Sequence, residues 1–306
     1  MSNRLDDVRA KTERAREQAL ALDADVRQFL EAGPYVARAE YNEETGEDLY
    51  RAHVIREPPP RISVIVGEIV HDLRSALDHL AWQLTRPERQ TNHTGFPIFS
   101  SPWGPGAKSE AQFLAHVDGM AEEVVEVIRD LQPNQPGAPV NKDHPLYQLH
   151  RMNIEDKHHL LNVIGGAAEQ KRMTVGGGGG AGLVSVPWPW SWGMPHIDVF
   201  GGVLGGQAIA PDYDRPNRLK VYIPAPDRIV RLIGTSLPPR AFVDGTLLTR
   251  VLRAPEADVR VEAEFRFSVA FGESGPGNGA PVIGSLLKLV DATDETVGRL
   301  ARFLPK

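Results

Sequence analysis

The chain has 306 residues, 41% of them apolar and 24% charged, proportions that exclude a fibre and a wholly disordered chain. Its length fits one large domain or two modest ones. The net charge of −6 supplies no global basic field for nucleic acid or an anionic membrane, so any such binding is local. The absence of cysteine excludes disulfides, thiolate metal sites and a cysteine nucleophile.

In chain order, Leu5, Val8, Thr12, Ala15, Ala19, Leu22, Val26 and Phe29 recur at spacings of three and four and predict one long bundle helix, stopped by Gly33-Pro34. Tyr35–Tyr41 and Leu49–Ile55 flank a polar NEETGE turn and predict a β-hairpin projecting from the bundle. Pro58-Pro59-Pro60 sets the start of a second helix, with apolar positions at Ile62, Val66, Ile69, Leu73, Ala76, Leu77, Leu80 and Leu84. After the loop NHTGFPIFSSPWGPG, a weak helical pattern covers Glu110–Val117, a better one Met120–Leu131, and a further helix is expected from Leu146 to Ile164.

Beyond residue 170 the period changes. Val259, Val261, Ala263, Phe265, Phe267, Val269 and Phe271 alternate with polar residues, the pattern of a half-buried strand. Arg218–Ile223 reads as a second strand, with weaker ones at Met173–Val175, Leu183–Val186 and His196–Leu204. Gly176–Gly180 reads as a flexible tip or tether, Phe242–Leu252 as a short helix, and Val282–Leu304 as a closing C-terminal helix. The expectation is an α+β protein: a helical bundle over residues 1–168 with a hairpin inserted at 35–56, then a mostly antiparallel β region over 169–306 closed by the C-terminal helix. A single interlocked domain is the alternative. No secretion signal or spanning run is legible, so a cytoplasmic protein without membrane contact is expected.

The helix RISVIVGEIVHDLRSALDHLAWQL carries the most informative polar residues. At about 100° per residue, Glu68, Asp72, Ser75 and His79 fall within roughly 60° of one another. His71, Arg74 and Asp78 make a second stripe on the other flank of the polar face. The string Arg74-Ser75-Ala76-Leu77-Asp78-His79 resembles the Arg-x4–6-His signature of the HEPN superfamily, helical-bundle proteins many of which are metal-independent ribonucleases. The resemblance covers at most the first 165 residues and implies that two such helices, from a homodimer or from two domains, line one groove, with a homodimer expected here. It implies that Arg74 holds the scissile phosphate and that His79 moves the proton of the ribose 2′-hydroxyl or of the leaving oxygen. RNA is then the expected partner, an antitoxin-like protein a further one, and no cofactor is called for. In the bland alternative Arg74 and Asp78 pair at i,i+4 and His79 is merely solvated. This segment and the one after His144 also resemble bacterial proteins of unknown function, which implies no activity.

In the segment His144 to His159, Asn153, Asp156 and Lys157 project among Leu146, Leu149, Leu160 and Ile164, so their polar groups need partners. Asp156 and Lys157 are either a structural pair or reach the Glu68/Asp72/His79 stripe and orient His79. A rival reading is a metal-dependent helical-bundle enzyme, since Glu68-x-x-His71 and Glu155-x-x-His158 are two ExxH pairs. Both pairs project away from the apolar stripes, which leaves a surface or interface site using His71, His79, His150 or His158. Trp188, Trp190 and Trp192 would share one face of an extended segment, where they stack on bases or cover an edge. In the latter case the protein is a non-catalytic interaction or structural protein.

Overall fold

The computed structural model describes residues 4–101, 108–135, 137–177, 181–187, 198–200, 210–211, 218–225, 228–236, 241–252, 259–273 and 275–304. It divides into two compact units, Met1–Gln28 with Pro59–Val163 and Phe271–Lys306, and Phe29–Pro58 with Ile164–Ala270. The fold is α+β, as the change of period predicts.

The first unit is helical. Its helices are α1 (Arg4–Glu31, whose last turn passes into the second unit), α2 (Pro60–Leu84), α3 (Lys108–His116), α4 (Glu122–Asp130), α5 (Pro145–Asp156) and α6 (Val282–Ala301). Helix α2 buries Ile62, Val66, Ile69, Leu73, Leu77 and Leu80, the i, i+3, i+4 stripe seen in the sequence, and packs on α5 and α6. Helix α1 runs antiparallel to α2: Gln18 bonds Glu68 at 3.4 Å, while Arg14–Asp72 and Arg61–Asp25 each pair at 3.5 Å. No described helix is long and apolar enough to cross a membrane.

The second unit is built on sheets. The hairpin of β1 (Tyr35–Asn42) and β2 (Glu47–Val54) forms as predicted. Sequence order continues with β3 (Val163–Gly177), β4 (Ala181–Pro187), β5 (Asp198–Phe200), β6 (Ala210–Pro211), β7 (Arg218–Ala225), β8 (Arg228–Ser236), β9 (Leu247–Leu252) and β10 (Val259–Phe271). One sheet has the order β1-β2-β9-β8-β7-β6 and the other β10-β3-β4-β5. Tyr35, Phe242 and Phe267 meet edge to face, with centroids 5.1–5.8 Å apart, and burial together with Glu57 raises the Tyr35 phenol above its usual range.

Several expectations are corrected. The boundary at residue 168 fails in both directions. The hairpin belongs to the second unit, where β2 pairs with β9 and makes the hairpin one edge of the larger sheet, while α6 belongs to the first and packs on α2 and α5. Phe242–Leu252 is not a helix. Asp244-Gly245 makes a turn, with Gly245 at φ +81°, and Leu247–Leu252 is a strand between β2 and β8. Helix α5 stops at Asp156 rather than Ile164, because Val163, Ile164 and two glycines begin β3. Gly165 and Gly166 are needed there: a Cβ on Gly166 would strike the backbone of Val269 and Ala270. Gly176 and Gly177 belong to β3, and Gly177 pairs with Ala181; residues 178–180 lie outside the described set.

Candidate functional site

The second helix places its polar stripes on two different neighbours. Glu68 and Asp72 lie toward α1, through Gln18 and Arg14. Gly67, Arg74 and Asp78 lie toward α5 and the loop after α2. Gly67 is the close-approach point, since a Cβ there would overlap the Asp156 carboxylate. Between the two flanks runs an exposed ridge of Val64, Glu68, His71, His79 and Trp82, with Ser75 half-buried at its centre.

Arg74 is held firmly. Its Nε donates to Asp78 Oδ2 at 3.1 Å and its Nη2 to Asp78 Oδ1 at 2.7 Å, the two-pronged geometry that makes arginine–carboxylate pairs strong. Nη2 also donates to the Phe96 carbonyl at 2.7 Å, and Asp78 Oδ1 accepts from the Phe96 amide at 2.9 Å. The pair thus clips both backbone groups of Phe96. Gln132 secures the loop further on, accepting from the Phe99 amide and donating to the Pro97 carbonyl, both at 3.0 Å. The Arg74 side chain is only 16% exposed, and its Nη1 is enclosed with no hydrogen-bond partner among the described residues.

His150 on α5 joins this group. Asp156 against Gly67 fixes the level at which α5 crosses α2. Six residues back along α5 and seven forward along α2 are both about 9–10 Å of helix, which brings His150 level with Arg74. Burial pushes its imidazole down to about 4, with Arg74, Arg151 and Lys157 pushing the same way and Asp78 opposing. His150 is therefore neutral near neutral pH. His144 begins the same helix, its Nδ1 accepting from the Leu146 amide at 3.2 Å; burial lowers its pKa, against a smaller opposing pull from Glu295. An unprotonated nitrogen is what that cap requires.

The predicted site residues therefore separate. Arg74 and Asp78 come together as the i,i+4 pair. His79 is exposed, about 140° round the helix from Arg74 by helical geometry, and makes no hydrogen bond among the described residues. Asp156 and Lys157 form no pair with each other, and Asp156 does not orient His79. It sits beside His71, which partly offsets the upward push of burial on its carboxyl, while Lys157 is exposed. The metal ligands proposed from sequence do not converge: His71, His79 and His158 are exposed, His150 lies beside Arg74, and among the described residues no three His, Asp or Glu groups are placed to hold a metal. Trp188, Trp190 and Trp192 lie outside the described residues. Sequence reasoning missed His150 as a neighbour of Arg74. The signal for it is the small residue at Gly67, which lets α5 approach α2.

Comparison with known proteins found no matching family model, no matching curated protein and no matching solved structure.

Proposed function

We propose that this is a HEPN-like nucleic-acid-acting protein, an endoribonuclease that works without metal through Arg74 and His79 as a homodimer. The observation that carries the reading is a pair of exposed cations at the end of α2's neighbour α5. On a chain of net charge −6, Arg74 is paired with Asp78, whereas Arg151 and Lys157 stand on the α5 side, where with Arg74 they disfavour an imidazolium at His150 against the opposing pull of Asp78. Arg151 and Lys157 are exposed and have no carboxylate partner among the described residues, so their charge is available to a phosphate backbone.

Within one copy His79 stands on the exposed ridge of α2, about 140° round the helix from Arg74, and the reading therefore needs a second copy. Apposing the exposed ridge of α2 on its counterpart would bring the His79 imidazoles of the two copies together. It would also cover Val64 and Trp82, which are 45% and 42% exposed. An antitoxin-like partner would compete for the same ridge. In the reaction one imidazole takes the 2′-hydroxyl proton, the alkoxide attacks phosphorus, and the second imidazole protonates the departing 5′-oxygen while Arg74 holds the phosphoryl oxygens. The products are a 2′,3′-cyclic phosphate and a 5′-hydroxyl.

The test is cleavage of end-labelled RNA in excess EDTA. Wild-type protein is expected to cut and His79→Ala to lose at least about a hundredfold in rate with an unchanged unfolding midpoint, and light scattering is expected to give a dimer. Intact RNA with the wild type, or equal cutting by the variant, overturns the reading.

A further inference from the structure

Within the first unit a cleft of about 360 Å³ lies between α5, α6 and the loop leading into α6. One face of each helix lines it, with Gln148 and Met152 four apart on α5 and Ser285, Lys288 and Leu289 at three and four on α6. Met152 and Leu289 are 1% and 3% exposed and form an apolar floor. Gln148 ties one wall to another, its Oε1 accepting from the Gly277 amide at 2.9 Å. The next residue, Asn278, lines the cleft with φ +42°, alone in positive φ among the described non-glycine residues, and such conformations cluster at ligand sites. Asp143 and Lys288 bring opposite charges to the same cleft from different elements, and both are exposed. They do not pair with each other or with any other described residue, and the Ser285 hydroxyl and Asn278 side-chain amide make no hydrogen bond among the described residues. The volume is at the small end of ligand pockets, which run from about 300 to about 1,000 Å³. A lone cation is drawn to Asp143 and repelled by Lys288, and a lone anion the reverse. A molecule carrying both charges complements both walls.

We propose that this cleft binds a small zwitterion, an amino acid with an aliphatic body, its carboxylate on Lys288 and Ser285, its ammonium on Asp143 and its carbon chain over Met152 and Leu289. Ser285 stands one turn before Lys288 on the same face of α6, so hydroxyl and ammonium can both donate to one carboxylate. The aliphatic body gains by leaving water for the floor. The ligand would link the start of α5 to α6, and because it binds the folded chain alone it would stabilise that state by mass action. The cleft shares no residue with the Arg74–Asp78 clip or with the exposed ridge of α2, so the site stands apart from the nuclease reading.

The experiment uses the full chain with its five methionines labelled at the methyl group and followed by NMR at about pH 7, with Met152→Leu used to assign Met152. The probes are L-leucine and ε-aminocaproate, which set the two charges close together and far apart. Each is compared with its single-charge analogues, isocaproate and leucine amide for the first, hexanoate and hexylamine for the second. At least one amino acid is expected to shift the Met152 signal saturably, with a dissociation constant of about 1 mM or tighter, and to raise the thermal unfolding midpoint. Its single-charge analogues are expected to bind at least about tenfold more weakly. Lys288→Met and Asp143→Asn, at exposed positions, are expected to weaken the amino acid at least about tenfold while leaving the midpoint of the free protein unchanged. The midpoint shift of the wild type decides the matter if Met152→Leu fails to fold. Neither amino acid moving the Met152 signal or the midpoint overturns the site. A single-charge analogue that binds as well as its amino acid overturns the zwitterion, and undiminished binding by either variant overturns the two-walled contact. RNA cleavage, found or absent, bears on the nuclease reading alone, so the two fail separately.

Discussion

The two polar flanks of α2 are alike in composition and unlike in physics. On the α1 flank, Arg14 meets Asp72 at 3.5 Å with the arginine side chain 68% exposed, and the Gln18–Glu68 bond is 3.4 Å long. On the other flank Arg74 is 16% exposed, makes three bonds of 2.7–3.1 Å and fixes a loop. Solvent screening leaves the first kind of pair worth little, while partial burial makes the second costly to break. A helix can thus carry one flank that keeps it soluble and another that organises its neighbours, with the same residue types on both.

The largest expected effect is on the buried flank. Arg74→Met strands the Asp78 carboxylate and releases Phe96, and is expected to destabilise the protein by about 2–3 kcal/mol in urea unfolding. A loss below about half a kcal/mol would mean that the clip is not structural. Next comes Gly67→Ala, whose methyl would overlap Asp156 and cost about 1–3 kcal/mol. Asp156→Ala should recover most of that loss in a double-mutant cycle, and additivity of the two changes would place Asp156 elsewhere.

Acid sharpens the comparison through the histidines. His144 and His150 are both held below the usual imidazole value of about 6.5, so the unfolded chain takes up more protons as pH falls. Their contribution is fully present above about pH 6.5 and declines as pH falls toward about 4, where His150 itself titrates. The decline per group is at most about 1.4 kcal/mol per pH unit. Asp156, raised by burial, acts in the opposite sense, and Asp156→Asn removes that offset and should steepen the decline in urea midpoint as pH falls toward the ordinary carboxyl range. The smallest effect belongs to the α1 flank, where Arg14→Ala should change stability by less than about half a kcal/mol.

Much of the fold was legible because single elements carry their own periodicity. The stripe from Ile62 to Leu84 and the hairpin around NEETGE needed no partner to be read. Strand β9 was misread because Leu247, Leu248, Val251 and Leu252 fit either period, and only pairing with β2 and β8 decides it. The end of α5 was misread because nothing between Asp156 and Val163 is a glycine or proline stop. Arg74 and Asp78 were visible as a pair, but the Phe96 backbone that completes their network lies in a loop without periodicity. His150 could not be linked to Arg74 from sequence, since their proximity depends on the crossing of α2 and α5 at Gly67.

The most direct test of a phosphate-binding face on the α5 flank is RNA affinity under matched charge reversal. Arg151→Glu with Lys157→Glu alters net charge as much as Arg14→Glu with Arg61→Glu, whose side chains are 68% and 62% exposed on the opposite flank. The first pair is expected to weaken binding of a short single-stranded RNA at least about tenfold and to flatten its salt dependence, while the second stays within about twofold. Equal losses from the two pairs would contradict a phosphate-binding face at the α2–α5 crossing.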